Sequence, residues 1–402
     1  MCSPFVQGVS LLCSPFVQGV SLLCSPLSKG EIEGVCHSVQ ESHECADKRH
    51  TAPPVRVDPI VDPTKTGSSM YQEKRIAVVI PAKDEAHQIE QVLRTVPSFV
   101  DAVFLIDDGS TDGTAATADS IASALPFVLE VIRHERNRGK GIAVATGYRR
   151  AREERYDITV VMDGDGQMDA VDFEPLIRPI AEDRVEYTKG NRFAFPGGLA
   201  HIPRLRKLGN FVLSMMTKVA SGYWHVSDSQ CGYTAISLLA LDALDLDRLY
   251  PTYGCPNDVL IKLNIANMRV GELPVRPLYN VGERSKMRIS RVVLPILRLL
   301  LLGFLGRLVV KYTLMSGHPL VLVYLAGLAL VAMLAPLGLY LTIMLLITAL
   351  LRRGALIIAG FCFVAGINLL VGAIAMDADA NRHLCVHFSP RELARFRSGQ
   401  TK

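Results

Sequence analysis

Two long uncharged apolar runs near the C-terminal end constrain this chain most. Residues 319–351 contain no charged side chain, and neither do residues 354–376. About 20 apolar residues suffice to cross a bilayer, so the pattern predicts two membrane-spanning helices joined by a short turn around Arg352 and Arg353. Just before them, residues 291–315 are apolar but carry Arg291, Arg298, Arg307 and Lys311. At about 100° per residue the first pair of cations falls roughly opposite the second, and arginines at mid-bilayer are costly. Two short interfacial amphipathic helices, broken near Gly303 or Gly306, suit this segment better than a third span.

Orientation follows from the cations. Arg284, Lys286, Arg288, Arg291, Arg298, Arg307 and Lys311 precede the spans, and Arg382, Arg391, Arg395 and Arg397 follow them. The positive-inside rule therefore puts body and tail together in the cytoplasm, at the face of the cytoplasmic or an ER-type membrane. The formal charge of the 402-residue chain is only +4, and no basic run is interleaved with aromatics, which argues against a nucleic-acid partner.

The first 70 residues stand apart. The unit CSPFVQGVSLL occupies 2–12 and again 13–23, then begins once more at Cys24. So short a unit, with two full copies, cannot stack into a solenoid. The segment reads as a disordered extension, or as the result of a start codon placed ahead of Met70. Five of the nine cysteines lie here; Cys231, Cys255, Cys362 and Cys385 are scattered without CxxC spacing. That excludes a sequence-evident zinc site or disulfide framework and suits a reducing compartment.

From Arg75 the pattern alternates strand and helix. RIAVVIP (75–81), DAVFLID (101–107), Val128–Arg133 and DITVVMD (157–163) read as buried strands, with helices over 85–95, 115–125 and 141–154. Ser110 or Thr111 is placed to cap the second of these helices. Such βα repetition predicts an α/β domain whose ligands bind at the carboxyl ends of the strands. Three strands end in carboxylates there: Glu85 beyond Pro81-Ala82, Asp107-Asp108, and Asp163-Gly-Asp165-Gly-Gln167. Buried carboxylates are costly unless paired, so clusters on one rim point to a polar ligand. Two aspartates two residues apart, with glycines to turn the chain, suit Mg²⁺ or Mn²⁺ and the diphosphate it would hold. The helix opened by Asn137-Arg-Gly-Lys140-Gly141 offers free amides and an ammonium to phosphate.

VVIPAKDE, IDDGSTDGT, NRGKG and VMDGDGQ, in that order, resemble family-two glycosyltransferases of the GT-A fold. GNRF (190–193), DSQCGYTAIS (228–237), YGCPNDVLIKLN (253–264) and ERSKMR (283–288) extend the likeness to the dolichol-phosphate mannose synthase and polyprenyl-phosphate glycosyltransferase branch. The resemblance covers roughly residues 75–290 and implies a GT-A domain over 71–290, interfacial helices over 291–315, two transmembrane helices within 316–378 and a cytoplasmic tail over 379–402. It implies a nucleotide-diphosphate sugar as donor, a polyprenyl phosphate as acceptor and a divalent metal. Pro81, Ala82, Glu85, Asp107 and Asp108 would line base and ribose, with Lys140 at the phosphates. Asp163, Asp165 and Gln167 would serve nucleotide and metal. Arg192, Arg206, Asp228, Gln230, Ser285 and Lys286 would meet the acceptor phosphate. The chain departs from the pattern at Asp84, where relatives commonly have Asn, and at Asn257-Asp258, where many have two acids.

The second departure leaves the catalytic base open. A phosphate acceptor, with a second pKa of about 6, arrives ionised and needs none. The expected reaction is a single inverting displacement at the anomeric carbon, with Asp258 dispensable as a base. A processive synthase is disfavoured because its QxxRW element is missing: the sole tryptophan, Trp224, follows Gly222-Tyr223. A non-lipid acceptor, or a non-catalytic nucleotide-binding scaffold, remains as an alternative. His87, His134, His201 and His225 lack ligand-like spacing and read as structural.

Overall fold

The computed structural model describes residues 71–195, 204–278, 289–348 and 353–398, with backbone alone for 204–208 and 289–293. Residues 1–70, the Arg206 side chain, Ser285 and Lys286 lie outside what it describes.

The chain runs β1 (Ile76–Ala82), α1 (Ile89–Thr95), β2 (Ala102–Asp107), α2 (Thr114–Ile121), β3 (Val128–Arg133), α3 (Lys140–Glu153), β4 (Ile158–Val161) and α4 (Phe173–Ala181). It continues through β5 (Tyr187–Asn191), α5 (Arg204–Ser221), β6 (Thr234–Ser237), α6 (Leu238–Ala243), α7 (Cys255–Ile265) and β7 (Val270–Pro274). These strands join one sheet in the order β3-β2-β1-β4-β6-β5-β7, parallel except for β6, which opposes both its neighbours. Apolar side chains fill both faces: Val78, Leu105, Phe173 and Leu176 on one, Val79, Phe104, Tyr148 and Leu260 on the other. Burial on two sides is why β1 and β2 read as continuous apolar runs. Pro81 sits near the end of a central strand. Register pairing of β1 with β4 ends at Val79–Val161, so Pro81 lies beyond the last paired residue on that side and its missing N–H removes no bond between the paired residues.

Two details differ from the sequence expectation. The first helix begins at Ile89, because residues 85–88 form a turn after Asp84, whose φ is +55°. Ser110 and Thr111 do not cap α2. Ser110 Oγ accepts the Asp84 amide (2.9 Å), the Thr111 amide donates to Asp84 Oδ1 (2.9 Å), and Asp112 Oδ1 accepts the Thr114 amide (3.0 Å). The β1 and β2 loops are thereby stitched together.

Beyond the sheet come α8 (Ile289–Arg307) and a π-helical stretch over Leu308–Met315. They lead to α9 (Leu320–Ala332), α10 (Leu334–Thr348) and α11 (Arg353–Ala380). Leu320–Thr348 and Arg353–Ala380 are each long and apolar enough to cross a membrane. The expected break near Gly303 or Gly306 is absent; α8 passes through both, and the helix changes type only after Arg307. The reason is that the second pair of cations finds partners in protein. Arg307, fully buried, makes two bonds to Asp377 on α11 (2.8 and 2.9 Å) and two more to the Val219 and Ala220 carbonyls of α5. Lys311 Nζ donates to the Asn264 carbonyl of α7 (2.7 Å) and to Asn381 Oδ1 (2.9 Å). After α11 the chain returns to the sheet as β8 (Cys385–Val386), parallel to β7, and α12 (Pro390–Ser398).

Candidate active site

Parallel pairing puts the carboxyl ends of β1, β2 and β4 on one edge, and the carboxylates found there do different work. Asp107 Oδ1 accepts the Ser110 amide (2.8 Å) and shapes its own turn. Asp108 is committed to the neighbouring loop: Oδ1 takes the Arg138 amide and faces His134 Nδ1, and Oδ2 takes the Gly139 amide, all at 2.8 Å. His134 is thus structural, its other nitrogen 3.1 Å from Thr146 Oγ1. Glu85 is held by its backbone amide, which donates to Thr114 Oγ1 (2.9 Å), in the turn after Pro81 and Ala82.

With that loop fixed, α3 opens on Lys140, whose Nζ lies 2.7 Å from Asp163 Oδ1. Burial opposes the lysine's charge, but Asp163, with Asp165 beyond it, prevails and raises Lys140 above its ordinary pKa. The segment after Asp228 reaches the same point. A Cβ on Gly232 would sit 2.9 Å from Asp163 Oδ2 and 3.2 Å from Lys140 Nζ. Asp165 Oδ1 accepts the Gln167 amide (3.0 Å), and Gln167 is exposed. Among the described residues no group of three His, Cys, Asp or Glu side chains could hold a metal alone. The Asp163–Asp165 pair nonetheless fits Mg²⁺ or Mn²⁺, which take one or two protein carboxylates and complete their shell with phosphates and water.

A second cluster lies at the end of β5. Arg192 forms a forked pair with Asp228, Nε to Oδ2 at 2.7 Å and an Nη to Oδ1 at 3.0 Å. Asp228 is fully buried. Glu272 on β7, invisible to motif reading, organises both: Oε1 accepts the amides of Ser227 (2.7 Å) and Asp228 (2.9 Å), and Oε2 accepts Asn191 Nδ2 (2.8 Å). Burial raises the Glu272 pKa against these bonds. Lys189, also missed, is buried with its pKa lowered by desolvation, and donates to the Cys231 carbonyl (2.6 Å). Gln230 Nε2 donates to Asn257 Oδ1 (2.9 Å). Asp258 is held by the Tyr250 amide (2.9 Å) and by Lys262. The Tyr250–Pro251 segment abuts α3, where the Gly141 amide donates to the Pro251 carbonyl (2.9 Å).

Residues 77–244 match the model of Glycosyl transferase family 2. The UDP-N-acetylglucosamine–dolichyl-phosphate N-acetylglucosaminyltransferase of Methanococcus voltae is 31% identical over 234 residues, 55% of this chain and 92% of that protein. The chain belongs to glycosyl transferase family 2. This glycosyltransferase is also 28% identical to the undecaprenyl-phosphate mannosyltransferase of Micrococcus luteus, over 53% of the chain and 87% of the relative. The solved glucosyl-3-phosphoglycerate synthase of Mycobacterium tuberculosis overlaps 58% of this chain and 80% of its own, at 20% identity and a TM-score of 0.44. The family 2 glycosyltransferase has the mixed, mostly parallel α/β domain of the GT-A type expected from its sequence, with two long apolar helices after it.

Proposed function

We propose that this glycosyltransferase moves a hexose-type sugar from a nucleotide-diphosphate donor to a polyprenyl phosphate at the cytoplasmic face of a membrane. One observation carries the reading: the Lys140–Asp163 pair lies so near Gly232, which follows the segment bearing Asp228 and Gln230, that a Cβ there would crowd both side chains. In this reading the donor and acceptor segments meet at one point. The names of the two relatives, a dolichyl-phosphate and an undecaprenyl-phosphate transferase, and the apolar helices support the lipid acceptor.

In this reading Pro81, Ala82, Glu85 and Asp107 border base and ribose, and Asp108 acts by holding the loop that presents Lys140. Asp163, Asp165 and Gln167 would hold the divalent cation, which when bound neutralises charge on the departing diphosphate. Lys140 adds a fixed positive charge at the same place. Arg192 is pre-aligned by Asp228, and the family resemblance adds Arg206, Ser285 and Lys286, which lie outside the described side chains, as further contacts to the acceptor phosphate. That phosphate, ionised above a pKa of about 6, attacks the anomeric carbon in line and inverts it without a base. Asp258, already paired with Lys262, is not needed for proton removal.

The test is a panel of radiolabelled GDP-mannose, UDP-glucose and UDP-N-acetylglucosamine, each offered a short polyprenyl phosphate with Mg²⁺, Mn²⁺ or chelator. Label should pass into organic solvent with one donor, only with metal, and not when the unphosphorylated polyprenol is supplied. Label that is transferred yet stays in water would point to a non-lipid acceptor and overturn the reading.

A further inference from the structure

Alternation along β5 puts Lys189 and Asn191 on one face of the sheet, and parallel register sets Glu272 of β7 opposite Lys189. Glu272 thereby lies against both segments that build the Arg192–Asp228 pair. Its Oε2 accepts Asn191 Nδ2 (2.8 Å), and its Oε1 accepts the amides of Ser227 (2.7 Å) and Asp228 (2.9 Å). Asn191 in turn folds the chain on which Arg192 stands, because its Oδ1 accepts the Phe193 (2.8 Å) and Ala194 (3.0 Å) amides. The Asp228 side chain is 1% exposed and that of Arg192 34%, so the cation stays open to an anionic ligand while its partner is shut away. The exit of β7 is anchored at the donor edge as well. The Arg276 amide donates to Asp172 Oδ2 (2.5 Å), Met168 bridges to Pro277, and the Leu278 amide donates to the Gln167 carbonyl (3.1 Å). One strand and its exit therefore touch both the Arg192 cluster and the loop bearing Asp163, Asp165 and Gln167.

We propose that Glu272 is a positioning residue for the acceptor: it fixes the Arg192 guanidinium relative to the Asp163–Gln167 loop, so that a phosphate held by the one is aligned with a donor held at the other. The inference rests on the function proposed above and adds to it a residue that does not itself meet substrate. The charge of Glu272 matters as well as its shape. A carboxylate offers acceptors only, and all three of its partners are donors. A glutamine of nearly the same size keeps Oε1 for the Ser227 and Asp228 amides but turns Nε2 on Asn191 Nδ2, donor against donor. Asn191 cannot present its oxygen instead without releasing Phe193 and Ala194. Release of that turn moves Arg192, and a displacement of about 1 Å is enough to cost a substrate contact.

The test measures KM for a short polyprenyl phosphate in detergent, at a saturating level of whichever donor labels it, beside calorimetric affinity for GDP or UDP with Mn²⁺. Glu272→Gln should raise the acceptor KM by about tenfold or more, the loss of one charge-assisted contact, while nucleotide affinity stays within about twofold. Adding Asn191→Asp supplies an acceptor for the new Nε2 and keeps an oxygen for Phe193 and Ala194. That double variant should return to within about threefold of the wild type. In an Arg192→Ala background, which raises the acceptor KM by itself, Glu272→Gln should add less than about twofold, because residues acting as one unit are not additive. Should Glu272→Gln melt too low for assay, Asn191→Ala carries the same expectation, since it frees the turn and leaves Glu272 on the other two amides. A wild-type acceptor KM in Glu272→Gln overturns the proposal. So does a loss of the same size with and without Arg192, which would mark a purely structural glutamate. Either result leaves the proposed function standing. An Arg192→Ala enzyme with unchanged acceptor KM, or a wild type that labels no lipid, removes the acceptor site itself and the inference with it.

Discussion

Gly232 has neighbours that are the far ends of flexible side chains, which separates its stability effect from its catalytic one. In Gly232→Ala the new methyl displaces the Asp163 carboxylate and the Lys140 ammonium, which can both swing aside. The melting temperature should change little, while kcat falls by at least about tenfold because the displaced charges lose their alignment. Steady-state kinetics beside a thermal melt checks this. Asp165→Ala should abolish turnover without unfolding. Asp258→Asn should retain much of the activity, because an amide oxygen can still accept from the Tyr250 amide and from Lys262. A dead, folded Asp258→Asn enzyme would refute the base-free reaction. The aspartates of this rim were legible because short apolar strands ended in them. Glu272 and Lys189 were not, because a single charged residue in GELP or YTKGN carries no periodic or motif signal. Their importance comes from pairing β5 with β7 and β6, which no local pattern reveals.

Between elements, buried polar groups hold the α8 region, α7 and α11 to one another. Tyr312 Oη and Asn381 join the Arg307–Asp377 pair, and Gly222, at φ +76°, leaves space that a Cβ would take from Arg307. Asp377→Ala strands a buried guanidinium and should cost roughly 3–5 kcal/mol. The double variant Arg307→Met/Asp377→Leu should be more stable than that single one, as denaturation in detergent would register. The sequence showed cations on opposite sides of residues 291–315 but not that one side faced a carboxylate about 70 residues later. A second contact of this kind is pH-sensitive. His225 is pulled down to about 4, first by burial and then by His387, whose ring lies 5.3 Å away. Unfolded, it titrates near its ordinary value of about 6.5, so between those limits the unfolded chain binds more protons. Stability is therefore full above about pH 6.5 and falls as pH drops towards 4, by at most roughly 3 kcal/mol. His225→Phe, which keeps an aromatic ring against Tyr223, should flatten the melting temperature over that range.

For the whole molecule, the decisive feature is that the tail comes back. β8 extends the catalytic sheet beside β7, and α12 buries Phe396 completely in the core under α4. Arg184 pairs with Glu392 (2.6 Å), Arg395 pairs with Glu182, and the Arg395 carbonyl accepts from Arg178 (3.0 Å). Phe396→Ala should therefore cost about 3–5 kcal/mol, as truncation of a core phenylalanine does. A body and a tail that share a sheet lie on the same side of any membrane, so the chain between them crosses an even number of times. Two crossings by Leu320–Thr348 and Arg353–Ala380 meet that condition and a third would break it. This parity owes nothing to the charge rule that assigned the cytoplasmic side, and it is testable by itself. A site for a sequence-specific protease inserted at residue 350, and another appended after residue 402, should be cut from opposite sides of sealed vesicles. Right-side-out vesicles should lose only the first and inverted vesicles only the second. Cleavage of both from one side would mean that the apolar helices do not traverse the bilayer. Cleavage of the appended site on the side away from the catalytic domain would mean that the tail does not dock on the sheet.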